Sequence, residues 1–361
     1  MCTTQIEAPK EVFAEKLLTM MNHGALALMT SIGHRTGLFD VLSRLEASTS
    51  HQIAEAAGLN ERYVREWLGA MTVGGVVECH ANGGAPQFYL PAERAAFLTR
   101  AAGADNLGVF AQYFSVLGSV EDRIVECFKN GGGVSYSEFK RFHEVMAEDS
   151  GQSVMSSLID VILPLVTGIV AKLKTGIDVL DIGCGSGRAL NLMARTFPNS
   201  RFVGYDFSEQ AIQTARVEAS ATGLDNIWFD VRDLTTFDDD APEGSFDFIT
   251  TFDAIHDQAR PDRVLAGIYK ALKADGTYLM QDIAGSSHVH NNYDHPLGAL
   301  LYTVSCMHCM TVSLAQGGMG LGAMWGKETA QTMLKQAGFN RIEIKHLDHD
   351  IQNCYYIIHK N

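Results

Sequence analysis

The sequence predicts an α/β chain: a largely parallel sheet with helices on both faces, preceded by a mostly helical N-terminal domain. Three observations carry this. From residue 177 onward, short apolar and β-branched runs alternate with helix-length segments. The first run, Ile177–Ile182, ends in a turn with glycine at 183, 185 and 187, after which Ala189–Thr196 opens as a helix. Ahead of residue 100, apolar residues instead recur at helical spacing, and only one hairpin signal stands among them.

Taken in order, Val12, Leu17, Leu18, Met21, Leu26, Leu28, Met29 and Ile32 mark a long first helix, punctuated by Gly33 and Gly37. Ser48-Thr49-Ser50 is an N-cap cluster for Gln52–Ala57, which Gly58 stops. Asn60 caps Glu61–Thr72, amphipathic through Val64, Trp67, Leu68 and Met71. Val76–Glu78 and Gln87–Leu90, joined by Asn82-Gly83-Gly84, read as a hairpin. Helix–turn–helix followed by a hairpin is a winged helix.

The charge pattern argues against nucleic acid as its partner. Residues 1–100 hold eight Lys or Arg against ten Asp or Glu, and Arg62 and Arg65 are offset by Glu61 and Glu66. Phosphate neutralisation supplies most non-specific affinity for nucleic acid, and this surface offers little of it. The long apolar run at 12–32 points to dimerisation instead. The whole chain, 361 residues at formal net charge -14, equally disfavours an anionic membrane. No run nears the ~20 apolar residues of a membrane span, and no secretory pattern opens the chain. Seven cysteines without a paired framework suggest reduced thiols and a cytoplasmic location. The expected domains are 1–100, winged-helix and dimerising; 101–165, an aromatic-rich helical bridge and active-site lid; and 166–361.

In the last domain, Arg201–Tyr205 is the second strand, ending at Asp206; Asn226–Val231 is the third; Phe246–Thr251 the fourth; and Gly276–Ile283 the fifth. Glu328–Ala337 is a helix, and Arg341–Leu347 with Cys354–His359 closes the sheet at seven strands. Glycines suit the 183–187 turn because side chains would keep the backbone from closing on a ligand. The third glycine follows the second by two residues, whereas the dinucleotide fingerprint spaces them by three. Asp181 stands two residues before the first.

Asp-x-Gly-x-Gly-x-Gly at 181–187 resembles motif I of class I S-adenosylmethionine-dependent methyltransferases, and the likeness extends over roughly 165–361. It implies a Rossmann-like sheet with S-adenosyl-L-methionine as cofactor. Asp181, Gly183, Gly185 and Gly187 would cradle its methionine end, and Asp206 its ribose, with Phe207 adjoining. Asp233 would meet the adenine amine beside Leu234, and Phe252 would flank the cofactor. The winged domain ahead of this sheet resembles small-molecule O-methyltransferases, whose N-terminal domains dimerise. A bacterial and mycobacterial branch, some members of which are described as transcriptional regulators, is the most similar in layout. Within that group, His256 and Asp257 match a His-Asp pair whose histidine is the general base. Asp282 and Glu328 match loosely the acids that steer it, and Gln258 replaces a common tryptophan.

The stretch 286–326 falls where open α/β sheets bind ligands. Tyr293, His295, Met307, His308 and Trp325 are expected to line a pocket for a small-molecule acceptor. Cys306-x-x-Cys309 is a single pair, short of the four ligands of structural zinc, so no metal is expected. A hydroxyl acceptor is expected; a small thiol is the alternative. A regulator that senses the cofactor is the reading from another class, which the charge count disfavours.

Overall fold

A computed structural model of the chain describes residues 10–81 and 83–360. It forms two compact units. One runs to Gly118 and includes Arg141–Gln152; the other takes Ser119–Lys140 and everything from Ser153. The expected bridge, 101–165, is thereby shared between them.

In the first unit, α1 (Lys10–Thr36) is followed by Gly37, whose φ of 73° turns the chain into α2 (Leu38–Leu42). The expected cap cluster forms at Thr49, which makes a reciprocal capping box with Gln52 at the start of α3 (Ser50–Ala57). Asn60 Oδ1 accepts from Arg62 N at the start of α4 (Glu61–Val73). Strands β1 (Glu78–His80) and β2 (Gln87–Tyr89) pair antiparallel. The hairpin begins two residues later than the sequence predicts. Val76 N and Val77 N both donate to Met71 O at 2.8 and 3.1 Å, so they finish α4 before pairing starts. Asn82, expected in the turn, lies outside the described residues.

Leu38, Phe39, Ile53, Trp67, Leu68 and Met71 make this unit's core. The indole of Trp67 donates to Met29 O at 2.8 Å, fixing α4 to α1. Helices α5 (Ala92–Ala95) and α6 (Ala111–Gly118) follow, then α7 (Glu121–Asn130) in the second unit, and α8 (Phe142–Ser153). Buried His34 Nε2 lies 2.8 Å from Glu148 Oε1, whose other oxygen accepts from Gln112, so one carboxylate joins α1, α6 and α8. Val12, Phe13, Leu17, Leu18, Met20 and Met21 stand exposed along the first turns of α1. On α4, Arg62 and Arg65 are engaged by Glu66 and Glu61.

The second unit is built on a seven-stranded sheet. Its strands are β3 (Asp178–Ile182), β4 (Arg201–Asp206), β5 (Ile227–Val231), β6 (Phe246–Phe252), β7 (Leu272–Ile283), β8 (Arg341–Lys345) and β9 (Asn353–His359). Their order is β5-β4-β3-β6-β7-β9-β8; the first five are parallel, and β9 runs antiparallel to both neighbours. Strand β7 starts four residues before the expected Gly276 and joins β6 through a register shift at Phe246/Phe248. Helix α9 (Ile169–Thr175) precedes the sheet, and α10 (Arg188–Thr196), α11 (Glu209–Ala221), α12 (Phe237–Asp240) and α13 (Pro261–Ala271) connect its strands. Alternate residues of each strand enter opposite cores: Leu180, Tyr278 and Met280 one, and Val179, Phe248 and Leu279 the other.

Beyond β7, α14 (Gly298–Val304), a π-turn at Ser305–Cys309 and α15 (Met310–Ala315) form one continuous helix. By length and composition alone this 18-residue stretch could cross a membrane. Leu301, His308, Cys309 and Val312 are buried within the unit, as in a core helix. Helix α16 (Gly326–Gln336) leads to the closing strands. The strand order reverses between β3 and β6, the switch point where such sheets open a crevice for ligands.

Candidate active site

The glycine turn rides on the end of β4: Gly183 N and Cys184 N donate to Tyr205 O at 2.8 and 3.1 Å. Gly183, Gly185 and Gly187 have φ of 71°, 53° and 69°, the left-handed region that favours glycine. A Cβ on Gly183 would stand 2.5 Å from Ala254 Cβ, and one on Gly187 2.6 Å from the Phe229 ring. At Gly185 a Cβ would meet nothing within 4 Å, so it would project into an open cradle. Asp206 Oδ2 accepts from Gly185 N and Oδ1 from Ser208 N, both at 2.8 Å. The carboxylate thus fixes the turn.

Asp181 lies beneath this turn, almost wholly buried, and accepts from Thr250 Oγ1 at 2.7 Å. Burial pushes its carboxyl up to about 7, against the Thr250 bond and helped by the charge on Asp206. Asp233 is exposed at the end of β5, with Oδ1 accepting from Thr235 N at 2.9 Å, whereas Leu234 belongs to the core. Phe252 is half-buried at the end of β6, and exposed Phe207 meets the Tyr136 ring edge-on at 5.8 Å.

His256 and Asp282 come together at the carboxyl ends of β6 and β7. His256 Nδ1 is 2.8 Å from Asp282 Oδ1, which also accepts from Trp325 Nε1 at 2.9 Å. Burial lowers the histidine's pKa. The Asp282 charge and the neighbouring Cys309 thiol outweigh it and hold the imidazole well above its ordinary value. Burial likewise raises Asp257 to about 6, with the His256 charge opposing and Asp282 and Asp206 adding. The acid on the histidine is therefore Asp282. Glu328 instead accepts from Ser286 Oγ and Ser287 N, anchoring the 286–287 turn at the start of α16.

The expected acceptor pocket is only partly assembled. His308 is buried, its ring edge-on to Tyr136 at 5.3 Å and to Phe139 at 4.7 Å. Trp325 is also buried, and its polar edge is spent on Asp282. Met307 is half-buried on the π-turn. His295 Nδ1 accepts from Leu297 N at 3.1 Å, closing a turn, and Tyr293 is 73% exposed. His288 and His290 stack on each other at 5.7 Å. Among the described residues, no three His, Cys, Asp or Glu side chains group to hold a metal. Tyr136 was missed in the sequence, although it lies in the aromatic-rich stretch. It touches Phe207 on one side and His308 on the other, and burial, Asp257, Asp206 and Cys309 all raise its hydroxyl's pKa.

The sheet order, the glycine cradle and its acid define the class I methyltransferase fold. Residues 24–100 match the Rv2258c-like winged HTH domain, and residues 173–338 match a methyltransferase domain family. The chain thus carries a winged helix-turn-helix domain ahead of a methyltransferase domain. It is similar to the fatty-acid O-methyltransferase of Mycolicibacterium smegmatis, 29% identical over 30% of this chain and 37% of that protein. A ubiquinone biosynthesis O-methyltransferase of Neisseria meningitidis is 32% identical over 30% of this chain and 44% of its own length. The chain thus spans under half the length of these curated relatives. Human N-acetylserotonin methyltransferase, solved in complex with SAM, shares the fold over 100% of both chains, with a TM-score of 0.70 and 16% identity.

Proposed function

We propose that this chain is an S-adenosyl-L-methionine-dependent methyltransferase acting on a hydroxyl of a small molecule, with His256 as the base. The observation that carries it is the His256–Asp282 pair, 2.8 Å apart and fixed by Trp325, at the switch-point end of the sheet that bears the glycine cradle. The residues present fit the cofactor: the open space over Gly185 would be filled by any side chain, and Asp206, bonded to the same turn, brings to it the kind of carboxylate that would bind ribose hydroxyls. When bound, the sulfonium supplies a methyl group for in-line displacement.

The rest is work for the protein. The amides of Gly183, Cys184, Gly185 and Gly187 are already given to Tyr205 O, Asp206 Oδ2 and Cys184 O, so the start of α10 would hold the carboxylate of the methionine end. Asp282 accepts from His256 Nδ1–H, which leaves Nε2 as the proton acceptor. A phenol of ordinary pKa is only ~0.1% ionised at neutral pH, a deficit near ~4 kcal/mol that proton removal by His256 offsets. Tyr136 closes the space between the cofactor side at Phe207 and the acceptor side at His308.

The exposed apolar face of α1 supports a homodimer. The six described cysteines form no disulfide, which suits a reducing compartment such as the cytoplasm. The test is methyl transfer by the purified chain to panels of phenols, fatty acids, thiols and amines, with products read by mass spectrometry. O-methyl products with release of S-adenosylhomocysteine are expected. S-methyl products alone would move the acceptor to sulfur, and cofactor binding without transfer to any panel would favour a sensor.

A further inference from the structure

One cavity plays no part in the chemistry above. It has a volume of about 560 Å³ and lies between α7 and the continuous helix 298–315, within the ~300–1,000 Å³ range usual for small-molecule sites. Cys306, Met310 and Leu314 line it, spaced i, i+4 and i+8 and so on one face of that helix. His308 packs elsewhere, on Tyr136 and Phe139, and Cys309 adjoins His256. The cavity and the histidine pair are therefore served by different faces of one helix.

Opposite stand Ile124, Cys127 and Phe128 of α7. Glycines also line the space. At Gly131, Gly132 and Gly317, which all have positive φ, an added Cβ would meet nothing within 4 Å. Among the described residues, no acidic, basic or histidine side chain lines the cavity. A charged ligand would lose its water there without gaining a partner, at a cost of several kcal/mol. Its one hydroxyl, Thr311 Oγ1, already accepts from Val134 N at 2.9 Å and carries no charge with which to hold an ion. The lining stays apolar where it reaches the surface, with Phe128 79% and Leu314 37% exposed.

We propose that this cavity is a second ligand site, for an uncharged molecule built on an aliphatic chain. The flexible Met310 and branched Leu314 and Ile124 follow a chain's bends better than they frame a rigid ring. The hydroxyl end of such a chain can accept from Thr311.

Cys127 and Cys306 are unbridged and half-buried in the cavity wall, and so report its occupancy. The full chain is alkylated with N-ethylmaleimide, with and without dodecanol, and each cysteine's rate is read by peptide mass spectrometry. Dodecanol at ten times its Kd should slow Cys127 and Cys306 about 10-fold. Cys79, in the winged helix, should keep its rate. Met310→Trp fills the cavity and should abolish the protection. Phe128→Asp, at an exposed position that cannot upset folding, charges the entrance and should weaken protection several-fold. Unchanged rates in the natural protein would overturn the proposal, as would protection that survives in a folded Met310→Trp. Should that variant not fold, Phe128→Asp decides: undiminished protection overturns the site. None of these readings depends on methyl transfer.

Discussion

Asp282 Oδ1 holds His256 Nδ1 at 2.8 Å and spends nearly all of its carboxylate's bonding on that side. The same oxygen accepts from Ile283 N at 2.8 Å and Trp325 Nε1 at 2.9 Å. Oδ2 is buried without a hydrogen-bond partner among the described residues. The ring is thus aimed by a carboxylate that is itself fixed from two further directions.

If His256 takes the acceptor's proton, His256→Ala should lower kcat by ~10²–10⁴ and leave S-adenosylhomocysteine affinity almost unchanged. Steady-state rates and calorimetry check this. The loss should be larger for a phenol than for a more acidic thiol. Near-normal turnover would leave positioning as the whole mechanism.

The raised histidine pKa has a signed consequence. His256 must be neutral to accept a proton, so the rate should rise with pH through a limb above 6.5, the ordinary value. Asp282→Asn removes the charge that lifts the pKa, leaves burial to lower it, and should move that limb to lower pH. It should also lower kcat roughly 10- to 100-fold, the usual effect of losing a group that orients a histidine. A limb that stays in place in the variant would assign it to another group.

Gly185→Val should abolish S-adenosylhomocysteine binding in calorimetry, because it both fills the cradle and forces a branched residue to φ 53°. Asp206→Asn loses a charged acceptor for the Gly185 amide and for ribose, and should weaken binding by about 1.5–3 kcal/mol. Binding of NAD in place of S-adenosylhomocysteine would defeat the cofactor reading.

Asp181 makes stability depend on pH. Its folded pKa, about 7, exceeds the ordinary carboxyl value of 3.8, so the folded state binds more protons between those values. Its contribution is therefore lost as pH rises toward and past 7. Asp181→Asn keeps an acceptor for Thr250 and removes the buried charge. Its stability relative to the natural protein should improve as pH rises from 5 to 8, as read from urea midpoints. A constant difference would refute the assignment.

The exposed apolar face of α1 should bring two chains together. Light scattering at micromolar concentration should give twice 39.4 kDa, and replacing Phe13, Leu17 and Met21 with serine should shift it toward one chain. A single-chain mass independent of concentration would exclude the dimer.

The strands were legible because each is a short apolar run between turn residues, and the glycine turn because its φ angles admit little else. The start of β1 was not: Val76 and Val77 look like strand residues, but their amides are claimed by Met71 O, a local capping effect that side-chain character conceals. Among the site residues, Asp206 and Asp282 could be read from their places at strand ends. The roles of Trp325 and Glu328 could not. The first depends on an indole reaching a carboxylate 43 positions away, and the second on a turn folding back onto the start of α16. Tyr136 was hidden for the same reason, since its partners Phe207 and His308 meet only in the tertiary structure.

The bond from Val134 N to Thr311 Oγ1 spans 177 positions. On a ribosome, the 119–140 segment therefore emerges long before its own docking helix exists, while the first unit cannot be completed until Glu148 has followed it out. Domains that close locally can fold as they appear. Here the nascent chain must carry Ile124, Val134 and Phe139, all buried in the finished fold, unburied through most of its synthesis. A chain terminated before residue 311 should accordingly be a client for chaperones or proteases, and not a stable fragment.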